Sequence, residues 1–170
     1  MEVVEASIGL APLMESYAKE CSESGIPRYQ DVEKDPEGHL SDIIKREKDT
    51  TGLPEGYLLS KTYYCVSDNQ ILGAIRVRQG TNDYVENVIG HIGYETRPTA
   101  RGKGVAPFLL AWVRDNAITE SAIVTCSVDN LASQKVIEKC GGEYLGRYTA
   151  EIEGAVRRYR VTRQASIPIT

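Results

Sequence analysis

The chain has 170 residues and a formal net charge of -4, with 26% charged and 41% hydrophobic residues. That length suits one domain able to bury a core without metal or disulfide staples, and the composition is that of a folded protein, so disorder is not the starting assumption. The acidic balance argues against nucleic acid as a partner, because such surfaces need a basic excess to displace counterions from phosphates.

Cys21, Cys65, Cys126 and Cys140 form no CxxC pair and have no zinc-like spacing to His39 or His91, so they read as free thiols, with no metal site expected. The start "MEVVEASIGLAP" lacks a basic region followed by an apolar one. No window reaches the roughly 18 apolar residues needed to span a bilayer. The expected address is a reducing cytoplasm, with no membrane partner.

In chain order, "EVVEAS" reads as a short first strand. "APLMESYAKECSES" places Leu13, Met14, Tyr17 and Cys21 at helical spacing and is ended by Gly25. After the acidic loop "DVEKDPEG", a second helix is expected from Leu40 to about Lys48, presenting Leu40, Ile43 and Ile44. From Tyr57 the period becomes that of strands, in "YLLSKTYYCVS" and "ILGAIRVRQ", joined by a turn at Asp68 and Asn69, which tolerate left-handed backbone. "NVIGHIGYET" is a further strand. There follow a helix from about Gly104 to Ile118, a strand "AIVTCSV", a helix "LASQKVIEKC" stopped by Gly141 and Gly142, and a closing pair, "EYLGRYTAEIE" and "AVRRYRVT", around Gly154.

The order is β-α-α-β-β-β-α-β-α-β-β, and no repeat or linker divides it. The expectation is a single α/β domain over residues 1–170 built on a mixed sheet. Its second to fourth strands form an antiparallel meander, and residues 88–128 a right-handed parallel crossover.

"RPTARGKGVAPF", residues 97–108, is the most informative stretch. Pro107 lacks an N–H and fits only the first turn of a helix, so the helix starts near Gly104 and its orphan amides fall on Gly104, Val105 and Ala106. Those amides and the positive end of the helix dipole attract an anion, and glycines at 102 and 104 let the backbone approach an oxygen. Arg101 and Lys103 add charge. The stretch matches neither a Walker loop nor a dinucleotide fingerprint. Taken alone it reads equally well as a solvated turn.

With its flanking strand and helix, "GYETRPTARGKGVAPFLLAWV" resembles the acetyl-coenzyme A binding motif of the GNAT superfamily of N-acetyltransferases, Q/R-x-x-G-x-G/A, at Arg101, Gly104 and Ala106. "DNLASQKVIEKCGG" resembles the family's N-x-x-A/S-x-x-x-x-x-K-x-G segment at Asn130, Ser133, Lys139 and Gly141. The element order is also that of the family. The resemblance implies a cofactor cleft where strands 4 and 5 splay apart, with acetyl-CoA as cofactor. Its pyrophosphate would lie on the amides from Gly102 to Ala106, helped by Arg101 and Lys103, and its pantetheine arm would run along the backbone from Tyr94 to Thr96. Asn130 and Ser133 would sit near the rest. Asn130 also reads as an N-cap of its helix. Pairing of two copies through strand edges is common for the fold.

The implied activity is transfer of an acetyl group to a primary amine of a small molecule or peptide, by direct attack on the thioester. That chemistry needs a neutral amine, donors for the oxyanion and a proton for the thiolate. A backbone N–H near Tyr94 is the expected oxyanion donor. Glu95 and His91, four residues apart on one strand and so expected on one side, are the candidates for the base. The helix-4 tyrosine acid of many relatives is Ile137 here; Tyr144 and Tyr148 are alternatives to it, with packing as their competing role. A non-catalytic acyl-CoA binding or sensing module is the alternative function. The acidic loop residues Glu33, Asp35 and Glu37 are candidates for a cationic acceptor, against their reading as a solvated loop.

Overall fold

The computed structural model describes residues 1–164. Its elements are β1 (Glu2–Glu5), α1 (Ala11–Glu23), α2 (Pro36–Lys45), β2 (Ser60–Ser67), β3 (Gln70–Arg78), β4 (Ile92–Thr96), α3 (Val105–Asn116), β5 (Ser121–Ser127), α4 (Leu131–Lys139), β6 (Glu143–Ala150) and β7 (Gly154–Thr162). The strands form one seven-stranded sheet in the order β1-β2-β3-β4-β5-β7-β6. Strands β1 to β4 pair antiparallel, β4 and β5 parallel, and β5, β7 and β6 antiparallel again. The mixed α/β sheet and the element order are those expected from the sequence.

Alternation along the strands divides the core between the two faces of the sheet. Ile75 and Val77 of β3, Ile92 of β4 and Val124 of β5 face α3 and α4, where they pack with Leu109, Leu110, Val113 and Ile137. Tyr64 of β2 and Ala74 of β3 face the other way, onto Met14, Tyr17 and Cys21 of α1 and Leu40 of α2. Each fully buried aliphatic chain contributes about 1.5–3 kcal/mol of burial. Arg97, just past β4, ties the sheet to α1 through Glu20, at 2.7 Å, and Ser16, also at 2.7 Å.

Three elements start three or more residues away from where the sequence reading puts them. Helix α2 begins at Pro36, four residues before Leu40, because the Asp35 side chain accepts from the Gly38 N–H at 3.0 Å and caps it, with proline at the first helical position. Strand β2 begins at Ser60, three residues after Tyr57. The third difference bears on the site. "NVIG" is not strand: Val85–Ile89 form one wide π turn, closed by the Gly90 N–H on the Val85 carbonyl at 2.7 Å, and β4 starts only at Ile92. The Asn82 side chain caps that turn by accepting from the Val85 N–H at 2.9 Å. At the β2–β3 hairpin, Asp68 and Asn69 take left-handed φ of 49° and 61°, as their side chains allow.

Candidate functional site

Strands β4 and β5 touch at a single register position, Ile92 opposite Val124. Gly90 holds that point together. Its φ is +71°, and a Cβ there would stand 2.9 Å from the Ile123 carbonyl oxygen and 3.1 Å from the Thr125 nitrogen, so only glycine lets the chain approach β5 this closely. Beyond Ile92 the strands part.

The consequence follows from the ladder. The Arg78 N–H bonds the His91 carbonyl and the Arg97 N–H bonds the Leu72 carbonyl, so odd-numbered residues of β4 direct their backbone groups toward β3. By alternation the N–H and C=O groups of Tyr94 and Thr96 point toward β5, which has moved away. A row of backbone donors and acceptors is left open along the seam.

A cavity of about 1130 Å³ occupies this seam. Of the residues singled out in the sequence, Tyr94, Glu95, Thr96, Arg101, Gly102, Gly104, Val105, Ala106, Asn130 and Ser133 line it. Lys103 and His91 do not. Helix α3 begins at Val105 after Gly104, whose φ is +83°, and Gly102 has φ +74°. Neither glycine has any atom within 4 Å of where a Cβ would be, so the turn presents bare amides and the positive helix end to an open cradle. Lys135 and Lys139 of α4 join Arg101 on the lining.

Across the seam, the Tyr94 hydroxyl meets the Ser133 hydroxyl at 2.6 Å. Burial pushes the Tyr94 pKa up to about 12, so the phenol remains a donor at neutral pH. The Asn130 side chain accepts from the Ser133 N–H at 3.0 Å, which is the N-cap geometry of α4. Cys126 of β5 also lines the cavity, and burial raises its thiol pKa. Ile137 is fully buried in the core, and a Cβ on Gly142 would press within 2.5 Å of its side chain. Tyr144 packs at a tilt against Tyr159 and lies under Arg157, and neither it nor Tyr148 lines the cavity.

On the opposite face of the sheet, Glu95 is held in a cluster. Its carboxylate accepts from Arg76 Nη1 at 3.1 Å and Nη2 at 2.6 Å, and from the Tyr29 hydroxyl. Burial alone would raise the Glu95 pKa, but the Arg76 charge and hydrogen bonds, with Arg28 and Tyr29, outweigh it and the net direction is down. Its ionic partner is therefore Arg76 of the adjacent strand, not Arg97 or Arg101. Arg28, Arg76 and Arg78 all line the cavity on this side.

His91 lies apart from Glu95's cluster. Its Nδ1 accepts from the Ile123 N–H at 2.9 Å, and its Nε2 is 3.1 Å from the Thr81 hydroxyl. Burial lowers its pKa, with Arg78 adding to the effect. The expectation of a shared pocket for positions 91 and 95 fails because His91 precedes the strand, with its ring fixed against β5. None of the acidic loop residues Glu33, Asp35 and Glu37 lines the cavity, and Asp35 serves as the α2 cap.

The arginines were the residues sequence reasoning missed. In "AIRVR" the alternation already puts Arg76 and Arg78 on one face of β3, the face opposite Ile75 and Val77. Nothing local marks Arg28 or Tyr29, which reach the site only through the packing of the segment after α1.

A family model described as an acetyltransferase (GNAT) domain matches residues 13–143. No curated protein matches the sequence at a significant level. Among solved structures, the chain is similar to the ribosomal L7/L12 α-N-protein acetyltransferase RimL in complex with coenzyme A, at 16% identity and TM-score 0.68, covering 95% of this chain and 93% of that one. It is similar to the microcin C7 self-immunity acetyltransferase MccE in complex with acetyl-CoA and AMP, at 15% identity and TM-score 0.66, covering 95% and 92%. A mutant form of the spermidine N-acetyltransferase SpeG of Vibrio cholerae aligns at 13% identity and TM-score 0.63, covering 95% of each chain. At these identities the likeness is one of fold.

Proposed function

Because the chain belongs to the GNAT acetyltransferase family, we propose that it transfers an acetyl group from acetyl-CoA to a primary amine, by direct attack of the amine on the thioester. The observation that carries this reading is the seam. One continuous cavity joins an amide-rich helix start, an unpaired strand backbone and a charged cluster on the far face of the sheet. Acetyl-CoA supplies an acyl group already activated as a thioester.

The residues fit such a ligand. The amides from Gly102 to Ala106, with Arg101, would hold the pyrophosphate, since the two glycines leave the cradle open. The free backbone of Tyr94 and Thr96 would pair with the amide-bearing arm as a neighbouring strand would, leaving an N–H of β4 to hold the acyl oxygen. Asn130 and Ser133 close the α4 side.

The Tyr94 and Ser133 hydroxyls would serve where relatives use a helix-4 tyrosine. A thiol of pKa ~8.5 is a stronger acid than this phenol, so the pair stabilises the departing sulfur by donating a hydrogen bond rather than by completing a proton transfer. Glu95, bound by Arg76, is a weak base, and we assign it the part of orienting the amine and a water through which the proton of the attacking nitrogen passes to solvent as the C–S bond breaks, the CoA thiolate taking a proton from solvent in turn. An α-amine of pKa 7.7–8.0 is roughly a tenth to a sixth neutral at pH 7, so a strong base is not required for an acceptor of that kind. His91 is given no part in proton handling, since its ring does not reach the cavity.

Tyr94→Phe tests the assignment. Its kcat is expected to fall about tenfold or more, the cost of one hydrogen bond to a charged group. Calorimetric affinity for acetyl-CoA should stay near that of the parent. Equal kcat in variant and parent would remove Tyr94 from the chemistry.

A further inference from the structure

The acceptor side of the cavity has more positive charge than its own carboxylates satisfy. Arg76 and Arg78 of β3 point to the same face, and the exposed Arg28, from the turn at Pro27–Tyr29, lines the same cavity. Two carboxylates line the cavity, Glu95 and Glu153. Glu95 is spent on Arg76, and Glu153 accepts from the Tyr84 hydroxyl. Among the described residues, the Arg78 guanidinium bonds only the Gly90 carbonyl, at 3.1 Å, and Arg28 has no carboxylate partner.

Beside them the strand is bare. Gly93 of β4 carries no side chain, and a Cβ there would sit 3.8 Å from both Arg76 Nη2 and Arg78 Nη1. Two guanidiniums thus flank an open stretch of strand next to the seam. Burial, then the like charges of Arg76 and Arg28, hold the Arg78 pKa down to about 10. Burial is the larger cause, and at neutral pH the guanidinium stays charged. The phosphate-binding turn at the start of α3 belongs to the other face of the sheet, so these arginines are not needed there.

We propose that the amine acceptor carries an anionic group, a carboxylate or a phosphate, a few atoms from its amine, and that Arg78 and Arg28 seat that group while Arg76 remains with Glu95. The inference rests on the transferase reading above. A guanidinium accepts such a group through paired N–H donors, and an anion between Arg28 and Arg78 relieves the repulsion a cationic acceptor would increase. A polyamine is the acceptor this site disfavours.

The test uses four C-terminally amidated dipeptides with the same N-terminal serine, followed by aspartate, phosphoserine, asparagine or lysine. The readout is release of CoA thiol from acetyl-CoA. The expected result is a kcat/KM for the aspartate or phosphoserine peptide about tenfold or more above the asparagine peptide, with the lysine peptide slowest, the size of a charge-assisted hydrogen bond. The two anionic arms separate carboxylate from phosphate. Arg78→Gln and Arg28→Gln should each shrink that advantage several-fold while the calorimetric affinity for acetyl-CoA is kept. Equal rates for the four peptides, or a preference for lysine, would overturn the anionic acceptor and leave the transferase standing. If acetyl-CoA binds but no peptide and no amine, spermidine included, accelerates thiol release, the transferase reading falls and this inference falls with it.

Discussion

At the residue scale, Glu95 and Arg76 form a largely buried ion pair whose side chains keep 12% and 15% of their exposure. Breaking such a pair from one side leaves the other charge without compensation, at a cost of about 3–5 kcal/mol when fully buried and less here. Arg76→Gln should therefore lower the urea midpoint by more than any exposed arginine change, and Arg76→Met with Glu95→Leu should recover much of the loss. The pH dependence has a definite sign. Because the folded pKa of Glu95 is depressed, its contribution to stability is present above the ordinary carboxylate range and is lost as pH falls through the lower folded value. As pH falls below about 5, the parent should lose urea resistance more steeply than Glu95→Gln. Asn130 was readable as a cap because asparagine before "LASQKV" has one good local use, and it makes that bond to Ser133. Asn130→Ala should cost about 1 kcal/mol by thermal unfolding. Glu95's partner was not readable. Side-chain pairing across two strands depends on register, and no local rule fixes it.

At the element scale, the seam depends on how β4 begins. The π turn, Gly90 and the single Ile92–Val124 pairing bring the strands together once and then let them part. Gly90→Ala places a Cβ against the β5 backbone and asks an L-residue to hold a left-handed φ, which costs roughly 1–2 kcal/mol before the clash is counted. Expected outcomes are a loss of about 2 kcal/mol or more in chemical denaturation and weaker acetyl-CoA binding by calorimetry. Unchanged affinity in a folded variant would show that the seam does not set the cofactor path. Strands β3 and β5 and helices α3 and α4 were legible because each carries its own period and its own stop. "NVIGHIGYET" misled as one strand. Its apolar residues Val88, Ile89 and Ile92 also sit at helical spacing, and a short apolar run does not separate the two periods. The capping role of Asn82 and the left-handed Gly90 decide it, and both act through backbone geometry.

At the scale of the whole molecule, a net charge of -4 gives the wrong impression of the site. The acid residues lie mostly on outward faces, while the cavity collects Arg28, Arg76 and Arg78 at one end and Arg101, Lys135 and Lys139 at the other. Net charge speaks to solubility and to nonspecific partners, and the local field to the ligand. The family was legible from two motifs because glycine placement and helix caps are local. The arginine-rich end of the cavity was not, since it is assembled from the turn after α1 and the end of β3, far apart in sequence. Among the described residues, no helix is long and apolar enough to cross a membrane.

Catalysis of acetyl transfer to an amine at this seam is tested most directly by release of CoA thiol from acetyl-CoA with and without primary amines, with the product weighed by mass spectrometry. Release is expected to depend on the amine and to match the N-acetyl product mole for mole. Acetyl-CoA bound by the protein, but turned over no faster with any amine than alone, would overturn the transferase and leave a binding module in its place.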